Sequence, residues 1–176
     1  MEYRLTTPCT AQDLAPLRAG DTVLLSGVVY TARDQAHKRM IEALDRGEPL
    51  PFDLEGSAIY YVGPTPERPG EVIGSAGPTT SGRMDAMSPR LLDLGSKRDA
   101  AVKEAVVRNG AVYLAALGGA GALMAKSVQT LEVIAWPDLG CEAVRRLTVQ
   151  DMPLTVILDA HGGDLYLEGP EAYRNR

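Results

Sequence analysis

An α/β fold with mixed sheets follows from three observations on this chain. Apolar, β-branched runs alternate with segments of helical periodicity, glycine and proline punctuate the joins, and several runs between Leu131 and Tyr166 succeed one another without a helix. The third observation fits a plain doubly wound sheet poorly. The pattern instead predicts a mixed three-layer arrangement, two sheets plus helices, in a single domain over residues 1–176.

Residues 1–21 read as an introductory segment with Leu14 and Leu17 on a short amphipathic stretch and a turn at Gly20-Asp21. Thr22 to Tyr30 is β-branched and apolar, a buried strand. From Ala32 to Arg46, Ala36, Met40, Ala43 and Leu44 recur at helical spacing and Gly47 stops the helix. Ser57 to Gly63 predicts a second strand, and Glu71 to Ala76 a short strand that runs into the turn at Gly77-Pro78. Arg98 to Asn109 reads as a helix with Ala101, Val102, Ala105 and Val106 in one stripe. Ala111 to Gly119 is a strand ending in glycines, followed by a small-residue helix from Ala120 to Lys126. Three strands are then expected, at Leu131–Trp136, Val144–Val149 and Leu154–Ala160, with an edge strand at Asp164–Gly169 and a loose tail over 167–176.

Composition narrows the function classes. The net charge is −5, so no basic field awaits nucleic acid or anionic lipid, and one Phe and one Trp give no stacking platform for bases. No apolar run approaches the roughly 20 residues that span a bilayer, and the first ten residues do not form a secretory signal, which points to a cytoplasmic protein. Cys9 and Cys141 stand far apart, as do His37 and His161, so no local metal-ligand spacing is present. A metal in the chemistry would be held by another chain.

Two segments carry the chemistry. Gly77 to Asp85 places hydroxyls and a guanidinium on a turn that opens a helix: Thr79, Thr80 or Ser81 as cap, and Arg83 four residues after Thr79. Thr31 to His37 repeats the device after the strand Thr22–Tyr30, with Arg33, Asp34 and His37. Side chains at the carboxyl ends of strands face the ligand crevice in α/β proteins. Two such turns, each with an always-charged arginine, suit a substrate with two carboxylates. Thr79 or Thr80 then offers a hydroxyl, which needs a neighbouring carboxylate to act as a base; Asp85 is local, and a partner chain is the other source. A third segment, Leu117 to Leu123, is glycine-rich but lacks the third glycine of a dinucleotide fingerprint, so close packing is its better account.

The runs TARDQAHKRM, IYYVGP, GSAGPTTSGRMD, AVYLAALGGAGAL and LGCEAVRRLTVQDMPLTVILDAHGGDLY, in that order, resemble the β subunit of class I fumarate hydratases and L-tartrate dehydratases, a region that is the C-terminal domain of single-chain members. The resemblance runs from about Leu5 to Tyr166. It implies a swivelling β/β/α domain that works with a separate α subunit, in a hetero-oligomer such as α2β2. The implied α chain holds a [4Fe-4S] cluster through three cysteines, with one iron open as a Lewis acid toward substrate. On this chain the resemblance implies Thr79 as the proton-abstracting hydroxyl, activated by an aspartate of the α chain, with Arg33, Arg83, Thr80 and Lys97 on the dicarboxylate. Fumarate to L-malate is the first activity implied, L-tartrate dehydration the second. One departure stands out: family members carry a GKG strand whose lysine meets substrate, whereas Leu94 to Arg98 passes straight into a helix, about eight residues shorter, with Lys97 the nearest substitute. That departure keeps a non-catalytic carboxylate-binding or scaffold domain as an alternative.

Overall fold

The computed structural model describes residues 1–93, 102–116, 119 and 121–174. Strand β1 (Glu2–Thr7) leads through the one-turn helix α1 (Ala11–Leu14) to β2 (Thr22–Thr31). Helix α2 (Asp34–Arg46) follows, then β3 (Ala58–Tyr60), a long irregular connection, and the short helices α3 (Ser88–Leu92) and α4 (Val102–Arg108). The chain closes with β4 (Tyr113–Ala116), α5 (Gly121–Lys126), β5 (Val128–Ala135), β6 (Val144–Leu158) and α6 (Leu165–Arg174).

The strands join in one mixed six-stranded network built on the antiparallel pair β2–β6. That pair is shared by two halves. The first half of β2 takes β1 in parallel, Glu2 opposite Thr22 through Thr7 opposite Gly27. Its second half takes β3 in parallel, Val29 opposite Ala58 through Thr31 opposite Tyr60. β6 is divided likewise but with antiparallel partners, β5 along Val144–Val149 and β4 along Leu154–Leu158. The register slips between Leu25 and Gly27, where Thr7 crosses so closely that a Cβ on Gly27 would stand 2.8 Å from the Thr7 carbonyl oxygen. Alternating burial along β2 and β6 places Val23, Leu25, Val29, Leu147, Val149 and Val156 in the main core. A second core under α2 gathers Ala32, Ala36, Met40, Phe52, Leu91 and Val144, with Tyr30 stacked on Phe52 at 4.0 Å.

The mixed α/β class is as the sequence predicts, and four local readings are corrected. Val144–Val149 and Leu154–Ala160 are not separate strands but one, β6; Asp151 absorbs the interruption at φ 48°, its side chain held by Arg4 at 2.6 Å and its N–H donated to Ser26 Oγ at 3.0 Å. Glu71–Ala76 is not a strand: prolines and glycines break the pairing, and the loop is stitched instead by Thr65 N–H to the Ser75 carbonyl and Ala76 N–H to the Gly121 carbonyl. The expected edge strand at Asp164–Gly169 is the start of α6, because Asp164 accepts from the Tyr166 N–H while Glu168 accepts from the Asp164 N–H. The tail expected over 167–176 is, through Arg174, part of the same helix. β1 has no counterpart in the sequence reading; its alternating pattern ends in Thr7, whose Oγ1 donates to the Val28 carbonyl at 2.6 Å. Lys97, and the start of the helix expected from Arg98, lie outside the described residues.

Candidate active site

Beyond β3 the chain continues through Tyr61, Val62 and Gly63, and the turns that carry Arg33 and Thr79 both touch this strip. On one side, the Thr79 N–H donates to the Tyr61 carbonyl at 2.8 Å and Val62 bridges Pro78. On the other, the Arg33 side chain lies against Gly63 so tightly that a Cβ there would sit 2.9 Å from Arg33 Cδ. Residues 46 positions apart in sequence, Arg33 and Thr79, are thus brought within two residues of each other along one strip.

Arg33 is the residue that caps α2, in extended backbone at the carboxyl end of β2. Its carbonyl oxygen accepts from the His37 N–H at 2.8 Å and lies 3.0 Å from His37 Nδ1. The guanidinium Nη2 faces Glu142 Oε1 at 3.2 Å and Asp34 Oδ1 at 3.5 Å, and the side chain is 18% exposed. Glu142 comes from the loop Pro137–Glu142, and its other oxygen accepts from the Gln35 N–H at 3.1 Å, filling a free donor of the first turn of α2. Arg145 braces the same loop through the Gly140 and Cys141 carbonyls, both at 2.9 Å.

The second turn is built differently. Thr79 is half-buried, while Thr80 and Arg83 are exposed. The expected helix opening there is a single 3-10 turn, Ser81–Arg83, with Thr80 at its head and no side-chain cap, so Thr79 and Arg83 do not share a helix face. Three residues, with Gly82 at their centre, are too few to propagate an α-helix. Among the described residues the Arg83 guanidinium has no hydrogen-bond or ion-pair partner. The turn is supported from behind by Gly121, where a Cβ would collide with Ser75 Oγ and stand 2.9 Å from the Gly77 nitrogen. At Gly121 this segment serves close packing, as its sequence suggests; Leu117, Gly118 and Ala120 lie outside the described residues. Asp85 is exposed on this turn.

Beside the strip, a cavity of about 150 Å³ is lined by Tyr61, Ser81, Asp85, Ser88, Tyr113 and Tyr166, and the two arginines lie outside it. Tyr61 Oη and Ser88 Oγ are 2.9 Å apart, and burial pushes the Tyr61 and Tyr113 phenols above their ordinary range. His37, grouped in the sequence with Arg33 and Asp34, is fully buried, edge-on to Tyr61 at 5.1 Å, and burial lowers its pKa to about 4. It is a neutral internal support for the Arg33 backbone. Glu142 and Gly63 were missed in sequence as parts of the site; Glu142 falls inside the run LGCEAVRRL, which carried the family resemblance without assigning it a role.

The fold is of the mixed α/β class; one of its turns carries Arg33 and another carries Thr79 and Arg83, residue types whose chemistry suits small anions. Comparison with known proteins fixes the class more closely: the family model described as Fumarase C-terminus matches residues 1–169, and the chain belongs to that family. It is 40% identical to a putative L(+)-tartrate dehydratase subunit beta of Methanocaldococcus jannaschii, covering 96% of this chain and 92% of that protein. It is 33% identical to the L(+)-tartrate dehydratase subunit beta of Escherichia coli K12, over 100% of this chain and 92% of the other. Fumarate hydratase 2 of Leishmania major is 38% identical over 88% of this chain, which spans only 29% of that longer protein.

Proposed function

We propose that this chain is the β-type half of a hydro-lyase that removes water from, or adds it to, a C4 dicarboxylate, with L-malate and fumarate as the leading pair. L-tartrate is the alternative, favoured by the 40% identity to the archaeal tartrate dehydratase subunit. The observation that carries the reading is the meeting of Arg33 and Thr79 on the Tyr61–Gly63 strip, with Arg83 four residues beyond Thr79 and free of ion pairs among the described residues. Arg33 holds one carboxylate from a fixed position, and Arg83 closes on the other. Thr79 Oγ1 takes the proton from the carbon next to a carboxylate; the C–H electron pair becomes the double bond as the hydroxyl departs from the neighbouring carbon, and proton and hydroxide leave as water. A threonine hydroxyl is too weak a base alone, so a carboxylate from the α partner relays its proton. Thr80, exposed at the head of the 3-10 turn, lies at the margin of this arrangement.

Among the described residues no three His, Cys, Asp or Glu side chains converge on a point that suits a metal ion. Cys9 is half-buried and Cys141 exposed, and neither belongs to a ligand group. On this reading the [4Fe-4S] cluster that the family resemblance implies is held by the α subunit. Among the described residues no helix is long and apolar enough to cross a membrane.

The test is anaerobic reconstitution with the α subunit, followed by assays on L-malate, L-tartrate and citramalate. Turnover of one of them by the pair, and its loss with Thr79→Val in an intact complex, is the expected result. Full turnover by the Thr79→Val complex would remove the proton-transfer role, and a pair that turns over none of the three would remove the hydro-lyase reading.

A further inference from the structure

We infer that Glu142 is a positioning residue for Arg33: it fixes the arginine's guanidinium and the first turn of α2 as one unit, and so sets where a substrate carboxylate is gripped. The inference rests on the hydro-lyase reading and deepens it.

Each oxygen of the Glu142 carboxylate has a separate partner, and both partners belong to the same turn. Oε1 faces Arg33 Nη2 at 3.2 Å, and Oε2 accepts from the Gln35 N–H at 3.1 Å. One rigid carboxylate thereby ties a side chain to the backbone two residues further on, which limits how far the guanidinium swings. Gly63 also packs on this side chain: a Cβ there would stand 2.9 Å from Arg33 Cδ and 3.0 Å from Nη1. Asp34 also acts on Nη2, at 3.5 Å, so two carboxylates converge on the same end of the guanidinium. The side chains of Arg33 and Glu142 are only 18% and 16% exposed, so the pair is screened by solvent far less than a surface pair.

Glu142 is itself anchored rather than free to follow Arg33. Thr31, fully buried, donates through Oγ1 to the Ala143 carbonyl at 3.3 Å and accepts from the Arg145 N–H at 3.0 Å. At the other end of the loop, Arg39 on α2 binds Asp138 at 3.0 Å and lies over the Trp136 ring at 5.8 Å. The loop is therefore fastened to β2 at one end and α2 at the other, and Glu142 presents a fixed reference point to the arginine between them.

The experiment compares Glu142→Gln with wild type in the reconstituted α–β complex, reading kcat and KM separately for the dicarboxylate that the wild type turns over. Glutamine keeps the size and an acceptor oxygen for the Gln35 N–H but removes the charge that holds Nη2. The expected result is a KM raised about tenfold with kcat changed less than threefold, since a misplaced carboxylate grip weakens binding before it touches the proton transfer. Glu142→Asp, which keeps the charge and shortens the reach, should lie between the two, and it replaces Glu142→Gln if that variant fails to assemble. In an Arg33→Lys background the same change should add less than twofold, because Glu142 acts only through Arg33. An unchanged KM in Glu142→Gln, a lowered KM, or a full additive loss in the Arg33→Lys background overturns the inference while leaving the hydro-lyase reading intact. A wild-type complex that neither binds nor turns over dicarboxylates overturns both.

Discussion

Arg33 and Arg83 sit on neighbouring turns of the candidate site, yet they are held in opposite ways. Arg33 closes a ten-residue central strand, opens a thirteen-residue helix, and is enclosed by Glu142, Asp34 and Gly63. Arg83 ends a three-residue 3-10 turn, is exposed, and has no ion pair among the described residues. Under the proposed hydro-lyase reading, the positioned cation would fix orientation in advance, and the unheld one would contribute when substrate or partner arrives.

The largest expected effect tests whether both halves are needed at all. Thr79→Val and Arg33→Ala should each lower kcat/KM of the reconstituted complex by about a thousandfold, within the range of lost acid–base catalysis and of a lost charge-assisted grip. Conservative exchange sharpens the contrast next: Arg33→Lys should cost about a hundredfold and Arg83→Lys about tenfold, because only the first site uses the planar fork against several fixed neighbours. Equal losses would show that the two arginines are equivalent and break the comparison.

Gly121→Ala probes the support of the looser turn. Its new Cβ meets the Gly77 backbone, two residues before Thr79, and should cost about 1–3 kcal/mol in thermal stability and about tenfold in turnover. A variant with wild-type turnover would show that this contact does not set the position of Thr79. On the Arg33 side, His37 gives a pH signature. Its pKa lies near 4 in the fold against about 6.5 when exposed, so the unfolded chain binds the extra proton first and stability is full above pH 6.5. Stability should fall as pH drops from 6.5 toward 4, by up to about 1.4 kcal/mol per unit, and denaturant melts of His37→Gln should lose much of that slope. Thr80→Ala, at an exposed position, should change kcat/KM less than threefold; a larger loss would move Thr80 into the substrate's first contacts.

Much of the architecture could be read from the chain because its strongest signals are periodic and local. The strand at Thr22, the helix ending at Gly47 and the helix ending near Lys126 rest on burial patterns that a short window contains. The misread elements depend on partners far away in sequence. Asp151 interrupts an apolar run by type, yet β2 carries the strand through it by way of Ser26 and Arg4. Leu165 and Leu167 alternate like an edge strand, and only the reciprocal bonds of Asp164 and Glu168 make that stretch a helix. The candidate site divides in the same manner. Arg33, Thr79 and Arg83 were legible from two short motifs, whereas Glu142 meets Arg33 across more than a hundred residues and nothing in its own neighbourhood announces the contact. His37 was legible as a neighbour of Arg33, but the tyrosine that covers it comes from another element.

Strand β6 gives this domain no seam. Its first residues neighbour the loop that steadies Arg33, its last lead to Asp159, whose carboxylate gathers N–H groups from Ala19, His161 and Gly163, and both halves of the sheet hang from the stretch between. A cut anywhere along that spine separates no independent piece; it dissolves the floor beneath the reactive turns and the far end of the molecule together, so the domain is expected to unfold as one cooperative unit.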